Sequence, residues 1–387
     1  MSIEEGPLVF LVAGEPSGDL LGGRLLTALK KMTDSNVRFA GIGGEAMAAA
    51  GLESLFPMQE LSVMGLVEVL PRAPQLLRRI AETERAVREM RPAVVVTIDA
   101  PGFCFRLAKR LKGSGIPLIH YVAPSVWAWR RGRALRVAAL YDHLLTLLPW
   151  EPAYFTRYGL ACTFVGHPAV AEAPPSDGVT FRQRHNISPD VPLLAVLPGS
   201  RMGEVRRLLP IFGAALHQLA GRIEDLQGVV VTVPATSAVV TATTANWEVP
   251  TTVTDSSERA DAFAASHAAI AASGTVSVEL AATRTPMVVG YRMAPLTIWI
   301  ARCLVRIPHI SLVNLALDEG IIPELIQEDC TAMALVTEAE KLLVDAEARE
   351  TQIAAFDKAL NLLGGSANPS ERAAHAVLDV IAARTTR

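Results

Sequence analysis

Leu193-Leu194-Ala195-Val196-Leu197-Pro198-Gly199-Ser200-Arg201-Met202-Gly203-Glu204 decides how this chain is read. The apolar run at its start reads as a buried parallel strand. Pro198-Gly199-Ser200 breaks that strand. Over 204–220 apolar residues return at helical spacing, at Val205, Leu208, Leu209, Phe212, Leu216 and Leu219. Strand, small-residue turn and helix together make an anion site. The turn lets a ligand approach the backbone, and the first N–H groups of the helix point at it. Arg201 adds a planar, permanent positive charge suited to a pyrophosphate. An ordinary βα turn with a surface arginine is the competing reading of the same residues.

Outward from this stretch the same alternation fills the chain. Strands are expected at Leu8–Ala13, 37–40, 93–98, 117–122, 143–148 and 162–165, then at Leu193–Leu197, 229–233, Ala268–Ala271 and 287–290, with helical stretches between them. Residues 172–178 (Glu-Ala-Pro-Pro-Ser-Asp-Gly) are the best linker. The expected fold class is α/β, as two Rossmann-like βα domains facing across a cleft. Their expected bounds are 1–172 and 173–363. Residues 364–387 form a terminal helix, with packing back on the first domain as one option.

Composition fits that architecture. The chain has 387 residues, enough for two cores. Half of them are hydrophobic, only 5% are aromatic, and mean hydropathy is +0.31. The surplus is in Ala, Val and Leu, as buried parallel sheets require. A net charge of −3 gives no global attraction for nucleic acid. Cys104, Cys162, Cys303 and Cys330 form no CxxC pair, so they read as reduced thiols rather than a disulfide frame or zinc site. Met1-Ser2-Ile3-Glu4-Glu5 lacks the basic start of a signal peptide, and no apolar run approaches the ~18 residues of a membrane span. A cytoplasmic chain is expected, with attachment to a membrane surface compatible.

Further candidates follow from strand ends. Gly14-Glu15-Pro16-Ser17-Gly18-Asp19 reads as a turn after the first strand, with glycines for close approach of a ligand and Ser17 and Asp19 as polar contacts. It is neither a Walker loop nor GxGxxG, so a nicotinamide cofactor is disfavoured. Gly43-Gly44 is a similar, weaker turn. Asp99 closes the apolar run 94–98, where open α/β sheets place chemistry, and an apolar setting suits a general base. A helix cap is the alternative for Asp99. His120 and Ser125 lie on the exit of the next strand, followed by Trp127 and Trp129 and then Arg130, Arg131, Arg133 and Arg136. Two tryptophans among arginines suggest a surface for an amphipathic, anionic ligand or a membrane. The basic amphipathic stretch 71–90, with Arg72, Arg78, Arg79, Arg85 and Arg88, points the same way. Ser273-Gly274-Thr275 repeats the phosphate-turn design. Glu279, four positions on, leans back over the helix start, where it could accept from a ribose diol.

At this point the residues resemble a family closely. Ala13-Gly14-Glu15-Pro16-Ser17-Gly18-Asp19, Met64-Gly65-Leu66-Val67-Glu68-Val69-Leu70, Ile98-Asp99-Ala100-Pro101, 120–129 (His-Tyr-Val-Ala-Pro-Ser-Val-Trp-Ala-Trp), Phe164-Val165-Gly166-His167-Pro168, Leu197-Pro198-Gly199-Ser200-Arg201, Ser273-Gly274-Thr275 with Glu279, and 310–314 (Ile-Ser-Leu-Val-Asn) with Glu324 run in order along nearly the whole chain. The chain resembles lipid-A-disaccharide synthase, a bacterial glycosyltransferase family. It departs from the family's common pattern at Gly102 and Cys104, where Asp and Asn are usual, and over 315–319. The resemblance implies the GT-B fold and inverting transfer from UDP-2,3-diacylglucosamine to 2,3-diacylglucosamine 1-phosphate (lipid X). The product implied is the β(1→6) lipid A disaccharide 1-phosphate, with UDP released. It implies Asp99 and His120 as catalytic residues. UDP would meet Gly199, Ser200, Arg201, Ser273, Gly274, Thr275, Glu279, Asn314 and Glu324. The acceptor and its lipid would meet Glu15, Ser17, Gly18, Asp19, Met64, Ser125, Trp127, Trp129 and Arg130. It implies no cofactor or metal, and peripheral attachment to the cytoplasmic face of the inner membrane. A homodimer is left open. The rivals are another GT-B enzyme of UDP-N-acetylhexosamines and a noncatalytic UDP-sugar or lipid-binding protein.

Overall fold

Five consecutive residues of the first apolar run, Val9 to Ala13, are wholly buried in the computed structural model of the chain, as a strand covered on both faces must be. The structure describes residues 6–61, 66–128, 132–171, 175–293, 298, 307–365 and 367–385, with the backbone alone at 66–73 and 385. The chain divides into two units: Met1–His167 with Ala367–Arg387, and Pro168–Ser366.

The first unit runs β1 (Leu8–Ala13), α1 (Pro16–Met32), β2 (Arg38–Ile42), α2 (Glu45–Ala49), α3 (Leu66–Met90), β3 (Val94–Ile98), α4 (Pro101–Leu111), β4 (Leu118–Tyr121), α5 (Arg133–Ala138), β5 (His143–Thr146), α6 (Pro152–Thr156) and β6 (Ala161–Phe164). All its strand pairs are parallel, in the order β2-β1-β3-β4-β5-β6. The second unit runs α7 (Pro168–Ala171), α8 (Gly178–Arg184), β7 (Leu193–Leu197), α9 (Met202–Ala220), β8 (Gln227–Val231), α10 (Ser237–Thr244), β9 (Thr251–Thr254), α11 (Arg259–Ala265), β10 (Ala268–Ala271), α12 (Val276–Ala282) and β11 (Met287–Tyr291). It continues through α13 (Leu312–Leu317), β12 (Glu324–Ile326), α14 (Ala332–Val344) and α15 (Ala346–Leu362). Its parallel sheet has the order β12-β11-β10-β7-β8-β9. The last helix, α16 (Pro369–Thr385), packs on α1 in the first unit and buries Ala373, Ala374, Ala376 and Val377 in that core.

Each sheet reverses its winding once. In the first, β2 lies on one side of β1 and β3 on the other; in the second, β8 and β10 flank β7. The helices that follow β1 and β3, and those that follow β7 and β10, leave on opposite faces, so their first turns splay and leave a crevice at the carboxyl edge of the sheet. The loops singled out in the sequence, after β1 and β3 and after β7 and β10, lie at these two reversal points.

Several boundaries differ from the sequence reading. The division between units falls at 167/168 rather than 172/173, because α7 packs on α12 of the second unit. The stretch 332–363 forms two helices, α14 and α15. Asp345 adopts an extended backbone and its carboxylate accepts from the N–H groups of Glu347 and Ala348, capping a new helix. Helix α1 starts at Pro16 rather than after a turn, since proline's fixed φ suits the first helical position.

Candidate active site

In the first unit, β1 and β3 end side by side. Gly14 is required there: a Cβ on it would lie 2.7 Å from Cβ of Ala100. A Cβ on Gly18 would lie 3.4 Å from the carbonyl oxygen of Ile98. Gly14 thus admits the neighbouring strand end, while at Gly18 a Cβ would make only ordinary contact. Asp19, expected as a ligand contact, is 6% exposed and occupied. Its Oδ1 accepts from the N–H groups of Gly44 (2.7 Å) and Met47 (3.1 Å), and its Oδ2 from Ala46 (2.9 Å). It satisfies the orphan donors at the start of α2, which also takes up the Gly43-Gly44 turn expected to be open. Glu15 and Ser17 stay at the surface edge of this loop, Glu15 half-buried and Ser17 exposed.

Asp99 follows β3 with φ 49°, and Ala100 follows with φ 44°. Two left-handed residues in succession are costly for non-glycine residues, roughly 1–2 kcal/mol each, with aspartate among the better tolerated. Val122, just past β4, has φ 79°, an outlier for a β-branched residue. The two bends are tied, since the Asp99 N–H donates to the Tyr121 carbonyl at 2.9 Å. Strain is thus concentrated where β3 and β4 end. The N-cap of α4 is Ala100, and no side chain caps the helix, so the cap role open to Asp99 is not used. Burial raises the Asp99 carboxyl above its usual range, against a smaller opposing effect of the Ala100 N–H. Cys104 is fully buried nearby; its thiol is pushed up by burial and by the neighbouring carboxylates of Asp99 and Glu15.

His120, expected beside Asp99, is a core residue. It is 1% exposed and opposite Thr97 in the ladder. Its Nδ1 lies 2.8 Å from the Thr97 hydroxyl, and its ring stacks on Tyr141 at 4.9 Å. Burial lowers its pKa to about 3, so it stays neutral. It supports the β3–β4 end through Thr97 and Tyr141.

The turn after β4 carries exposed Ser125 and half-buried Trp127. The Trp127 ring stands edge-on to Trp150, at 5.7 Å and 90°. Its Nε1–H donates to Oε1 of Glu151 at 3.4 Å. Glu151 was not marked in the sequence, although a carboxylate beside an aromatic in Trp150-Glu151 was a signal available there. Met64, Trp129 and Arg130 lie outside the described residues. In α3, Arg79 pairs with Glu60 and Glu82, Arg85 with Glu89 and Arg88 with Glu84, so this helix is less cationic than its arginines suggest.

In the second unit, the turns after β7 and β10 share a pocket of about 140 Å³. Gly199, Ser200, Ser273, Gly274, Thr275 and Glu279 line it together. Gly199 (φ 103°) and Gly274 (φ 153°) take backbone shapes that side chains rarely adopt, and Gly274 has open space where a Cβ would stand. Arg259, at the start of α11, also lines the pocket; its guanidinium holds both oxygens of Glu279, at 3.3 and 3.1 Å. Sequence reasoning missed Arg259, because only the sheet order brings the exit of β9 to this place. Arg201 is not among the lining residues. It is 74% exposed and lies 3.5 Å from Glu204, which also accepts from the Tyr291 hydroxyl at 3.2 Å.

Asn314 and Glu324 serve the wall behind the pocket. Glu324 accepts from the N–H groups of Ile310 (2.8 Å) and Ser311 (2.9 Å) and from Nδ2 of Asn314 (2.9 Å). Asn314, wholly buried, also donates to the Ile322 carbonyl and accepts the Ile322 N–H, each at 2.9 Å. Ser273 donates to the Ile310 carbonyl at 3.1 Å, joining this wall to the phosphate turn. The two residues expected to touch UDP thus spend their hydrogen bonds on the protein. Among the described residues, no group of three His, Cys, Asp or Glu is arranged to hold a metal ion.

Comparison with known proteins bears on this geometry. Residues 9–378 match the family described as Lipid-A-disaccharide synthetase. The chain is 52% identical over 382 residues to the lipid-A-disaccharide synthase of Rhodospirillum centenum, covering 97% of this chain and 95% of that one. To that of Paramagnetospirillum magneticum it is 49% identical over 380 residues, covering 97% of each. Among solved structures, a putative UDP-N-acetylglucosamine 2-epimerase from Listeria monocytogenes gives a TM-score of 0.65 at 12% identity, covering 98% of this chain and 97% of that one. The calicheamicin glycosyltransferase CalG4 gives 0.61 at 15% identity, covering 97% and 98%. These structures share the fold, the two-domain α/β architecture of GT-B glycosyltransferases. The chain belongs to the lipid-A-disaccharide synthase family of glycosyltransferases.

Proposed function

We propose that the chain joins UDP-2,3-diacylglucosamine to 2,3-diacylglucosamine 1-phosphate, with inversion, giving the β(1→6) disaccharide 1-phosphate and UDP. The observation that carries the reading is the pair of reversal points. One holds a strained, half-buried carboxylate of raised pKa, Asp99. The other holds two small-residue turns and a carboxylate around one pocket.

The proposed chemistry is a single displacement. Asp99 takes the proton of the acceptor's 6-hydroxyl as that oxygen attacks C1 of the donor sugar, and the bond from C1 to the diphosphate breaks. The first N–H groups of α9 and the Arg201 guanidinium receive the charge that develops on UDP. Glu279 accepts from the ribose diol, oriented by Arg259. Trp127 and Ser125 belong to the acceptor side.

Both substrates carry acyl chains, so the enzyme works at the cytoplasmic face of the inner membrane as a peripheral protein. Exposed Leu77 and Leu135, each next to an exposed arginine (Arg78 and Arg136), support that placement. No helix of the described residues is long and apolar enough to cross a membrane.

The test is to incubate the protein with both acylated sugars and follow UDP release and disaccharide 1-phosphate together. Stoichiometric formation of both is expected. UDP release without disaccharide, or turnover of UDP-N-acetylglucosamine without the acylated acceptor, would overturn the reading in favour of another UDP-sugar enzyme. No turnover with intact UDP binding would favour a binding protein.

A further inference from the structure

Glu151 has no part in the chemistry above, yet it is a carboxylate only 3% exposed at the carboxyl edge of the first sheet. Such a group persists in the core only when its oxygens are bonded. Its Oε2 accepts the N–H groups of Leu147 and Leu148, each at 3.1 Å, and closes the turn that follows β5. That task uses one oxygen. The other, Oε1, faces the turn after β4 and receives the indole N–H of Trp127. One carboxylate therefore clasps two adjacent turns. Trp127 is fixed at two points, by its N–H end on Glu151 and by its edge-on contact with Trp150. Trp127 as a whole is half-buried, five residues past Val122, whose backbone is strained at the end of β4.

We propose that Glu151 is a positioning residue for acceptor binding: it holds Trp127 by the indole N–H and so sets the apolar face that Trp127 presents to the acceptor's acyl chains. This rests on the reading of the first unit as the acceptor side. A glutamine at 151 has one acceptor oxygen, so its amide must turn a donor either toward the Leu147 and Leu148 N–H groups or toward the indole N–H. A phenylalanine at 127 keeps an apolar ring and removes the N–H.

The test uses Glu151→Gln, Trp127→Phe and the double variant of the full chain, with two readouts. The first is the indole 1H–15N resonance of Trp127, identified by its loss in Trp127→Phe. The second is KM for the acylated acceptor against KM for the donor, with kcat and Tm. Glu151→Gln should move the Trp127 resonance, raise the acceptor KM at least about threefold and leave the donor KM within error. The double variant should be no worse than the worse single variant, because the two residues act through one contact. An unmoved resonance, or single effects that multiply in the double, would overturn the proposal. A moved resonance with the acceptor KM unchanged in both single variants would retain the contact but refute the acceptor assignment of the first unit. If Glu151→Gln does not fold, Glu151→Asp replaces it. That variant keeps the charge but withdraws it by one methylene, and it should show the same pattern at smaller amplitude.

Discussion

Replacing Asp99 by Asn removes basicity from the first reversal point and little else. The backbone there has φ 49°, a region that Asn adopts about as readily as Asp. The Ala100 N–H that meets the carboxylate can be accepted by the amide oxygen. Helix α4 takes no cap from this side chain, so the helix loses nothing. Stability should therefore stay within about 0.5 kcal/mol of the parent. Burial raises the Asp99 pKa, so its ionised form is the disfavoured one in the folded state; the neutral amide removes that cost, and Tm above neutral pH should not fall. Turnover is another matter. A positioned base contributes ~10²–10⁴-fold, or about 3–5 kcal/mol of barrier. The assay is disaccharide formation with both acylated sugars saturating, alongside UDP calorimetry and a thermal melt. The expectation is a loss of kcat of at least about a hundredfold with UDP affinity and Tm unchanged. The low-pH limb of the parent's kcat/KM profile should lie above the ordinary carboxylate range and disappear in the variant. Near-parental turnover would refute the base assignment, and a fall in Tm that tracks the loss of kcat would make Asp99 structural.

Other expectations concern the second unit, the buried carboxylate and the membrane. Arg201→Ala should weaken UDP binding roughly tenfold without a change in Tm, since the side chain is 74% exposed and its nearest ion-pair partner is at 3.5 Å. An unaltered Kd would remove it from the site. Asn314→Ala should cost roughly 2–4 kcal/mol in a denaturant melt, because the Ile322 N–H and carbonyl and the Glu324 carboxylate lose their partner. A melt at parental midpoint would show the wall to be dispensable. Glu151, pushed by burial up to about 7, holds its proton longer in the folded chain than in the unfolded one. Its contribution to stability is full below pH ~4.5 and is lost as pH rises through about 7, by on the order of 3 kcal/mol at most. Cys162, whose thiol is pushed up to about 11 by burial and by Glu151, stays neutral over that range. Glu151→Gln should flatten the stability profile, and a slope unchanged between pH 5 and 8 would contradict this. Vesicle sedimentation should show binding to anionic lipid that weakens with salt, and equal partitioning to neutral vesicles would count against an electrostatic contribution.

Legibility followed burial. β1, β7 and β10 coincide with their apolar runs, because a strand covered on both faces must be apolar at every position. β9 (Thr251–Thr254) and β12 (Glu324–Ile326) were missed. Each is a short edge strand, one mostly threonine and one three residues long, without an apolar run to announce it. The glycine turns of the second unit were legible because backbone with positive φ beside a helix start needs residues of that kind. Asp19, Asn314 and Glu324 were legible as polar residues in telling places but not in their use. A sequence shows that a carboxylate lies in a loop; whether its partner is a ligand or a backbone N–H depends on which distant segment folds against it. For Asp19 that segment is 25 to 28 residues further on. The same holds for His120, whose strand position was legible but not that its side chain packs with Tyr141 and Phe105.

The last helix joins the first unit, and this fixes an order of assembly. A chain leaving the ribosome exposes all of Pro168–Ser366 before Ala373, Ala374 and Val377 are available to close the earlier core. The unit begun second is therefore the first to be finished, and the unit begun first must wait with α1 partly uncovered. A nascent chain halted just short of α16 should hold a protease-resistant second unit beside a first unit that is still cleaved, and an exposed first sheet would then make chaperone capture concentrate on the amino-terminal half.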